Sequence, residues 1–476
     1  MDTFRPPAFA GLIGVARRDI TPPVGIYARN WGAALHEVAE GIHMPMSVTA
    51  LVLSNAADAS PDTWREAFVV VSMDFTWWRM GADEWALRSA LIEALQLDPA
   101  RVLINITHTH AGPATCRDDV DKPGGHLILA YIDLLTAQVI AAVREAAETL
   151  RPATLTWAYG TCGLAQNRDL VDPDSGGLNS VGFDKLARIV CGWNPQGTAD
   201  DTLLVGRVTT RAGDVLATLV NYACHPTTLA WDNKLISPDF IGTLREVVEA
   251  STGGAPCLFL QGASGELSPI EQYTGDVSIS EKHGRMLGYA VLSTLQGMLP
   301  SGVGLRYGGL VESGAPLAVW QRQPIEASQE LAAEHLLVEV DLKGDLPTLA
   351  QIQEDLDDAL AEGNIFLIER FRRRLRVRHS VGDEPTSKLP AWAWRVGDSL
   401  WLAQGNEAYS DLQVELRARF PGVAVVVMNL TNGPQAGYLP PRALYGRDVY
   451  AVWQSPYAAG GLERMIESSA EALAAL

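Results

Sequence analysis

The sequence predicts an α/β protein in which helices flank a mixed β-sheet core and a helical segment is embedded late in the chain. Short apolar runs alternate with longer helical patterns through roughly the first 300 residues. Phe68–Asp74 is typical of a buried strand, Ala82–Leu95 has helical spacing, and Arg101–Ile106 is again typical of a strand. Such alternation favours a sheet covered by helices on its faces.

The remaining elements continue this pattern. Leu129–Leu150, rich in Ala and Leu, predicts a long amphipathic helix. Leu203–Thr209 and Val215–Tyr222 predict a hairpin, because turn residues lie between them. Further helices are predicted at Pro238–Ala250, Ser278–Met298 and Gly461–Leu473, and further strands at Cys257–Gln261, Ala391–Val396, Leu400–Ala403 and Val423–Leu430.

Residues 316–390 differ from the rest of the chain. They show few strand patterns and contain a long charged helical pattern, Leu346–His379. No internal repeat or low-complexity tract divides the sequence. We therefore predict one domain over residues 1–476, in which 316–390 is a variable and largely helical segment.

The composition excludes nucleic acid as the main partner. Hydrophobic residues make up 47% and charged residues 20%, as is usual for a soluble globular protein. The net charge of -19 leaves no basic face of the kind that phosphate binding needs. The one basic cluster, Arg370–Arg378, follows the acidic run Glu354–Asp358 and predicts a solvated helix.

Three observations predict a cytoplasmic enzyme. The five cysteines are scattered and form no Cys-x-x-Cys pair, which favours free thiols in a reducing compartment. The first residues lack the basic start and apolar stretch of a signal peptide. No apolar run of about 18 residues predicts a transmembrane segment. Whether the protein is a homo-oligomer stays open.

Two closely spaced histidines form the first candidate metal site. His108 and His110, in Thr107–Pro113, follow the strand-like run Arg101–Ile106. On an extended backbone this spacing puts both imidazoles on the same side, and imidazole is the commonest metal ligand in proteins. A hydrogen-bonded pair of structural histidines explains the pattern as well, so the motif alone does not decide.

A third histidine, His225, also follows a β-rich run and precedes a proline. Its placement at a strand end matches that of the first pair, although a structural histidine fits it equally. Cys224 beside it offers a second zinc ligand. Neighbouring side chains of a strand point to opposite faces, so only one of the two can face a site.

Three later segments offer oxygen donors. Gln261–Pro269 is a glycine-rich turn that carries Ser268 but lacks the lysine of a phosphate-binding loop. Glu407 follows a predicted strand and is predicted to begin a helix, where acidic residues are also favoured. Thr431–Pro440 is a polar loop that contains Tyr438, and such loops carry function as often as they merely connect.

Taken together and in this order, these five segments resemble the neutral/alkaline, non-lysosomal ceramidase family. The resemblance runs from Gly14–Pro22 to Tyr450 and covers nearly the whole chain. It is strongest at Thr-His-Thr-His-Ala-Gly-Pro, Cys-His-Pro, Gly-Glu-Leu-Ser-Pro and Gly-Tyr-Leu-Pro. Several motifs in the right order are more specific than any one of them.

The resemblance implies a zinc ion, Zn²⁺, held by two histidines, a glutamate and a tyrosine. Carried over by motif, these metal ligands are His108, His225, Glu407 and Tyr438. The resemblance also implies a set of catalytic residues beside the metal, namely His110, Ser268, Arg168 and Tyr450. Whether the serine is a nucleophile or orients water stays open.

The implied activity is hydrolysis of a linear N-acyl amide by water that the zinc activates. The substrate is then a small-molecule amide or a lipid-like one, such as the sphingolipid ceramide. Two departures favour a substrate other than ceramide. The usual Gly-Asp of the family is Gly265-Glu266 here, and the leader and C-terminal β-sandwich domain of secreted members are missing.

Three alternative functions fit parts of the pattern. An esterase or lactonase could use the same scaffold, since zinc hydroxide attacks esters more readily than amides. A homologue that binds without turnover is a second alternative, although the four retained ligands argue against it. Barrel amidohydrolases also carry His-x-His, but near the N-terminus and with a mid-chain metal-bridging lysine, and neither feature is evident here.

Overall fold

A computed structural model describes residues 3–58, 64–173, 188–433 and 437–476. Two β-sheets form its centre. The larger is mixed and has eight strands, in the spatial order Cys257–Gln261, Val215–Tyr222, Thr202–Thr210, Arg151–Thr161, Ala8–Asp19, Ser47–Ser54, Phe68–Met73 and Val102–Ile106. The smaller has four strands, in the order Leu331–Asp341, Thr386–Val396, Ser399–Gln404 and Ala424–Met428.

Helices cover the outer face of each sheet, which gives four layers. The inner faces of the two sheets pack on each other in one apolar cluster. Three further clusters join the sheets to their helices. The larger sheet is covered by Gly81–Leu95, Ile128–Glu148, Phe240–Ser251 and Val277–Gly297, and the smaller by Asp411–Arg419 and Gly461–Ala475. The predicted α/β class with a mixed sheet is therefore confirmed.

The strand Phe68–Met73 shows why its sequence is a continuous apolar run. Alternate residues of a strand point to opposite faces. Val69 and Val71 therefore pack toward the helices, whereas Phe68 and Val70 pack between the two sheets. Both faces are buried, so both need apolar side chains.

Short elements connect the layers, and several of them lie around the site described below. The short strands are Thr3–Phe4, Gly41–Ile42, Gln166–Asn167, Asp169–Val171, Ile189–Cys191, Leu235–Ile236, Leu267–Ser268, Glu407–Ala408 and Tyr438–Leu439. The short helices are Pro99–Arg101, Arg117–Asp119, Gly125–Leu127, Arg442–Leu444 and Tyr450–Gln454. Positions 434–436 of the predicted polar loop lie outside the described residues.

Among the described residues, one segment is long and apolar enough to cross a membrane. Gly125–Glu148 contains a window with a mean hydropathy of 1.8, of which 39% is buried inside the protein. Tyr131, Leu135 and Val139 on its inner face pack against the larger sheet. A core helix meets the same criterion, so this evidence is weak, and the expected absence of a membrane span stays a prediction.

The segment 316–390 is less helical than its sequence predicts. Pro316–Pro324 is a strand that pairs with Val303–Glu312 in a hairpin, and Leu331–Asp341 is the edge strand of the smaller sheet. The single predicted helix is two helices, Leu349–Glu362 and Ile365–Val381. They are separated at Gly363, whose φ of 67° lies in the left-handed region that glycine adopts freely.

Candidate metal centre

The predicted metal ligands meet because the strands that carry them end at the same place. His108, His225 and Glu407 each follow the carboxyl end of a buried strand, and all three side chains are buried. The two histidines come from the larger sheet and the glutamate from the smaller one. The site therefore forms only when the two sheets are packed together.

Glu407 does not begin a helix, contrary to the sequence prediction. It lies in the short strand Glu407–Ala408, which runs parallel to Tyr438–Leu439 and pairs Glu407 with Tyr438. The next helix begins at Asp411. The backbone pairing therefore fixes the two predicted oxygen ligands side by side.

His108 and His110 face each other, although not for the reason that the sequence suggests. The strand ends at Ile106, and His108 has a φ of 66°, so the backbone here is left-handed and not extended. The Nε2 atoms of the two rings still lie 3.3 Å apart. The prediction that the rings meet is confirmed, and the predicted extended geometry is wrong.

Backbone carbonyls fix the tautomer of both predicted histidine ligands. The Nδ1 of His108 lies 2.8 Å from the carbonyl oxygen of Thr76. The Nδ1 of His225 lies 2.6 Å from that of Ser264. A carbonyl can only accept, so each Nδ1 carries the proton and each Nε2 keeps its lone pair. This arrangement is usual for histidines that bind metal through Nε2.

The Nε2 lone pairs converge on a carboxylate oxygen. The Oε2 of Glu407 lies 2.7 Å from Nε2 of His225 and 3.6 Å from Nε2 of His108. Burial lowers the pKa of His225 to about 4, and so this ring is neutral near pH 7. Buried acceptors that face each other need a cation between them.

His110 belongs to the same cluster of donors. The ligand atoms of His108, His110 and His225 lie within 4.8 Å of one another. Burial lowers the pKa of His110 well below its usual value, and its Nδ1 has no hydrogen-bond partner in the described part of the chain. The geometry leaves its predicted catalytic role untested. Nitrogen and oxygen donors of this kind fit zinc.

Arg168 places a positive charge beside the donors. Its Nη2 donates to the carbonyl of Gly265 at 2.8 Å and to the hydroxyl of Tyr438 at 3.0 Å, and it lies 3.3 Å from Nε2 of His225. The ring of Tyr450 lies 5.7 Å from that of Tyr438. The structure therefore brings both predicted catalytic residues, Arg168 and Tyr450, to the site.

Ser268 lies close to the same histidine. It follows Leu267, whose carbonyl is 3.2 Å from Nδ1 of His225. Its Oγ is buried without a hydrogen-bond partner among the described residues. A buried hydroxyl in this state is available to a ligand or to water. Cys224, by contrast, is fully buried in an apolar cluster, although it and His225 lie beyond the strand that ends at Tyr222, so the alternation expected of a strand does not apply.

An aromatic wall, formed by Trp31, Trp77 and Tyr273, was not predicted from the sequence. The ring of Trp31 lies 5.0 Å from that of His110, and the ring of Trp77 lies 5.2 Å from it. Tyr273 packs edge-on against Trp31 at 5.7 Å. These residues are scattered in loops without a motif, so no sequence pattern marks them.

Comparison with known proteins identifies the fold. No protein-family model matches the chain, and neither does any curated protein. The neutral ceramidase from Pseudomonas aeruginosa matches with a TM-score of 0.66 and 17% identity, over 99% of this chain and 75% of the other. A ceramidase complexed with C2 matches with a TM-score of 0.64 and 16% identity, over the same shares.

The fold is that of the neutral ceramidases. This finding confirms, for the fold, the resemblance to neutral ceramidases that the sequence motifs predicted. The ceramidase-like architecture extends over nearly all of the chain, including the segment 316–390. The assignment of individual residues rests on the geometry described above and not on the low sequence identity.

Proposed function

We propose that this protein is a zinc-dependent amidohydrolase that cleaves a linear N-acyl amide. The observation that carries the proposal is the convergence of His108 Nε2, His225 Nε2 and Glu407 Oε2, which are three buried acceptors that face each other beside the guanidinium of Arg168. The ceramidase fold supports amide hydrolysis. The substrate is a small-molecule or lipid-like amide.

His108, His225, Glu407 and Tyr438 are the residues that would hold the zinc. When bound, zinc polarises a carbonyl and lowers the pKa of a coordinated water to about 7. The chain itself orients these donors, because backbone carbonyls hold the two histidines and backbone pairing aligns Glu407 with Tyr438. Such preorganisation limits the cost of binding.

The remaining residues would assist cleavage of the amide bond. The guanidinium of Arg168 can stabilise negative charge that develops on the carbonyl oxygen. His110, a neutral imidazole with a free nitrogen, can move a proton to the leaving amine. Tyr450 lies next to Tyr438 and can donate from its hydroxyl. Ser268 offers a buried hydroxyl that either attacks or orients water.

A cytoplasmic location is proposed on the state of the cysteines. All five are free, and four of them are buried. Burial raises the pKa of Cys116 and of Cys257 to about 11, so both thiols are protonated near neutral pH. Free, unreactive thiols suit a reducing compartment.

Metal analysis combined with a substrate screen tests the proposal. The purified protein should contain about one zinc per chain and hydrolyse N-acyl amides within a series of graded acyl length. Ester analogues of the best amide belong in the same screen, since faster ester cleavage would reassign the protein as an esterase or lactonase. Full zinc occupancy without hydrolysis of either series would support a binding protein, and absence of zinc would overturn the metal assignment.

A further inference from the structure

A large groove lies on the smaller sheet, apart from the metal centre. It has a volume of about 830 Å³ and runs between the strand Leu331–Asp341 and the helix Gly461–Ala475. None of the eight predicted site residues lines it. The groove is therefore a feature that amide hydrolysis does not explain.

One wall of the groove is an unpaired strand edge. Leu331–Asp341 pairs along its whole length with Thr386–Val396, and within the described residues its other side is open except at its end, where the carbonyl of Asp341 accepts from the backbone N–H of Ala458 at 2.9 Å. In an antiparallel sheet, alternate residues of such an edge direct their N–H and C=O groups outward. These groups form a ready template for an added strand, with a helix alongside it, as in domains that bind extended peptides.

The floor of the groove is apolar, and its helical wall is made of regularly spaced acids. Val338 and Val340 are buried on the floor. On the helix, Glu463, Glu467 and Glu471 recur at every fourth residue and so share one face. An extended chain lying here would meet apolar side chains below and carboxylates beside it.

The charge of the residues that line the groove favours a basic ligand. Arginine contributes two side chains, Arg442 and Arg464, and a third arginine, Arg419, pairs with Glu467 of the lining at 2.8 Å. Acidic residues are more numerous, and they are Glu334, Glu339, Asp341, Glu463, Glu467 and Glu471. The Oε2 of Glu463 is buried and has no hydrogen-bond partner in the described ranges. A basic segment complements this lining, and an acidic or neutral one does not.

A second copy of the chain is a less suitable occupant of the same edge. Antiparallel pairing of the edge with itself would bring the acidic helices Gly461–Ala475 of the two copies together, and like charges on these helices would repel each other.

We propose that this groove binds an extended, Lys/Arg-rich segment of a partner protein by adding it as a fifth strand to the smaller sheet. The main chain of the segment pairs with the outer edge of Leu331–Asp341. Its alternate basic side chains reach Glu467 and Glu471 on the helix, and hydrophobic side chains between them cover the exposed Leu337, which is 57% accessible. The proposal does not depend on the hydrolytic activity.

Fluorescence anisotropy with a defined peptide tests this docking. The probe is a fluorescein-labelled peptide of alternating Lys and Val, roughly eight residues long, which is the size of a normal strand. A peptide of alternating Glu and Val is its control. The wild-type protein should bind the first peptide and not the second, and binding should weaken as salt is raised.

A charge-reversal variant locates the binding. Glu467→Lys with Glu471→Lys should weaken binding at least about tenfold, a loss of about 1.4 kcal/mol. The matched control is Glu354→Lys with Asp358→Lys, an exposed pair at the same helical spacing outside the groove. It should bind like the wild type. Equal weakening in both variants would show non-specific attraction to an acidic protein and overturn the proposal.

Hydrogen exchange separates strand addition from simple charge pairing. The bound peptide should slow amide exchange in Leu331–Asp341, and a peptide N-methylated at alternate residues should lose both the binding and the protection. Binding without protection of this strand would overturn the proposed mode. Sedimentation shows whether the free protein is a dimer. If the dimer forms through the same edge, Leu337→Lys should dissociate it. Such a dimer would mean that the groove binds a second copy of the chain and not a partner segment.

Discussion

The metal centre and the helix Ile365–Val381 are held in place by different forces. At the centre, His108 and His225 are buried and oriented by backbone carbonyls. Ion pairs contribute to the attachment of the helix, such as the contact of 3.1 Å between Arg376 and Asp119. The comparison teaches that backbone contacts fix the donors, whereas the helix depends in part on side-chain ion pairs that a few substitutions can change.

A chain of polar contacts nevertheless connects the two regions. Asp119, which is 2% accessible, accepts from Arg376 at 3.1 Å and from Arg79 at 3.2 Å. Arg79 donates to the side chain of Asn30 at 3.2 Å, and Asn30 donates to the carbonyl of Gly112 at 2.8 Å. The helix is thus linked to the loop that carries His110.

Removal of both histidine ligands should have the largest effect. His108→Ala with His225→Ala removes two of the converging donors, and we expect metal affinity to fall by more than about 100-fold, because even residues that merely orient a ligand are worth about 10- to 100-fold. Metal content by mass spectrometry checks this. His335→Ala, a histidine on the smaller sheet, is the matched control and should keep its metal. Full metal content in the double variant would contradict the assignment of the centre.

His110→Ala should separate metal binding from turnover. If His110 moves a proton and does not bind the ion, the variant keeps its zinc and loses about 10²- to 10⁴-fold in kcat. Metal content and kcat are measured on the same preparation. Loss of metal equal to that in His108→Ala would show instead that His110 is a ligand, as the close grouping of the three histidines allows.

Weakening the attachment of the helix Ile365–Val381 should have a smaller effect, which changes KM for the substrate and not metal binding. Arg376→Met leaves Asp119 with one arginine partner, Arg79, and loosens the link to the loop that carries His110. We expect KM to rise about fivefold, because an ion pair of this kind contributes about 1 kcal/mol. Zinc content should not change. Arg376→Lys should restore part of the affinity, and Arg372→Met, on the same helix, should leave KM unaltered. A fall in metal content would show that the two regions are not separable.

The sequence predicts the regular elements better than the geometry of the site. Long apolar and amphipathic runs predicted the strand Val215–Tyr222 and the helix Gly461–Ala475 closely, because burial enforces their periodicity. The strand Leu331–Asp341 was missed, since one of its edges is exposed and charged and it lacks a clean alternation. Motif order selected residues that the structure brings together, and their assignment as ligands stays a prediction. It could not show the left-handed backbone at His108 or the strand pairing of Glu407, because both depend on contacts between distant segments.

Glu266 allows a comparison that involves neither metal nor substrate, since it is a buried acid without an ion-pair partner in the described structure. Its carboxylate accepts from the backbone N–H of Ser410 at 3.0 Å and from its hydroxyl, yet burial raises the pKa of Glu266 to about 8. The folded protein therefore holds a proton that the unfolded chain releases above its normal pKa of about 4.5. This contribution to stability is complete below about pH 4.5 and is lost as the pH rises toward 8.

Glu266→Gln should remove that pH dependence. The amide is neutral throughout, so the variant should lose less stability than the wild type between pH 5 and pH 8, by an amount on the order of a few kcal/mol. Urea unfolding at both pH values measures it, with Glu271→Gln, at an exposed position, as the control. Added salt should shift neither curve much, because the group is buried. Parallel pH curves for the wild type and Glu266→Gln would mean that the carboxyl is ionised in the folded protein, contrary to this prediction.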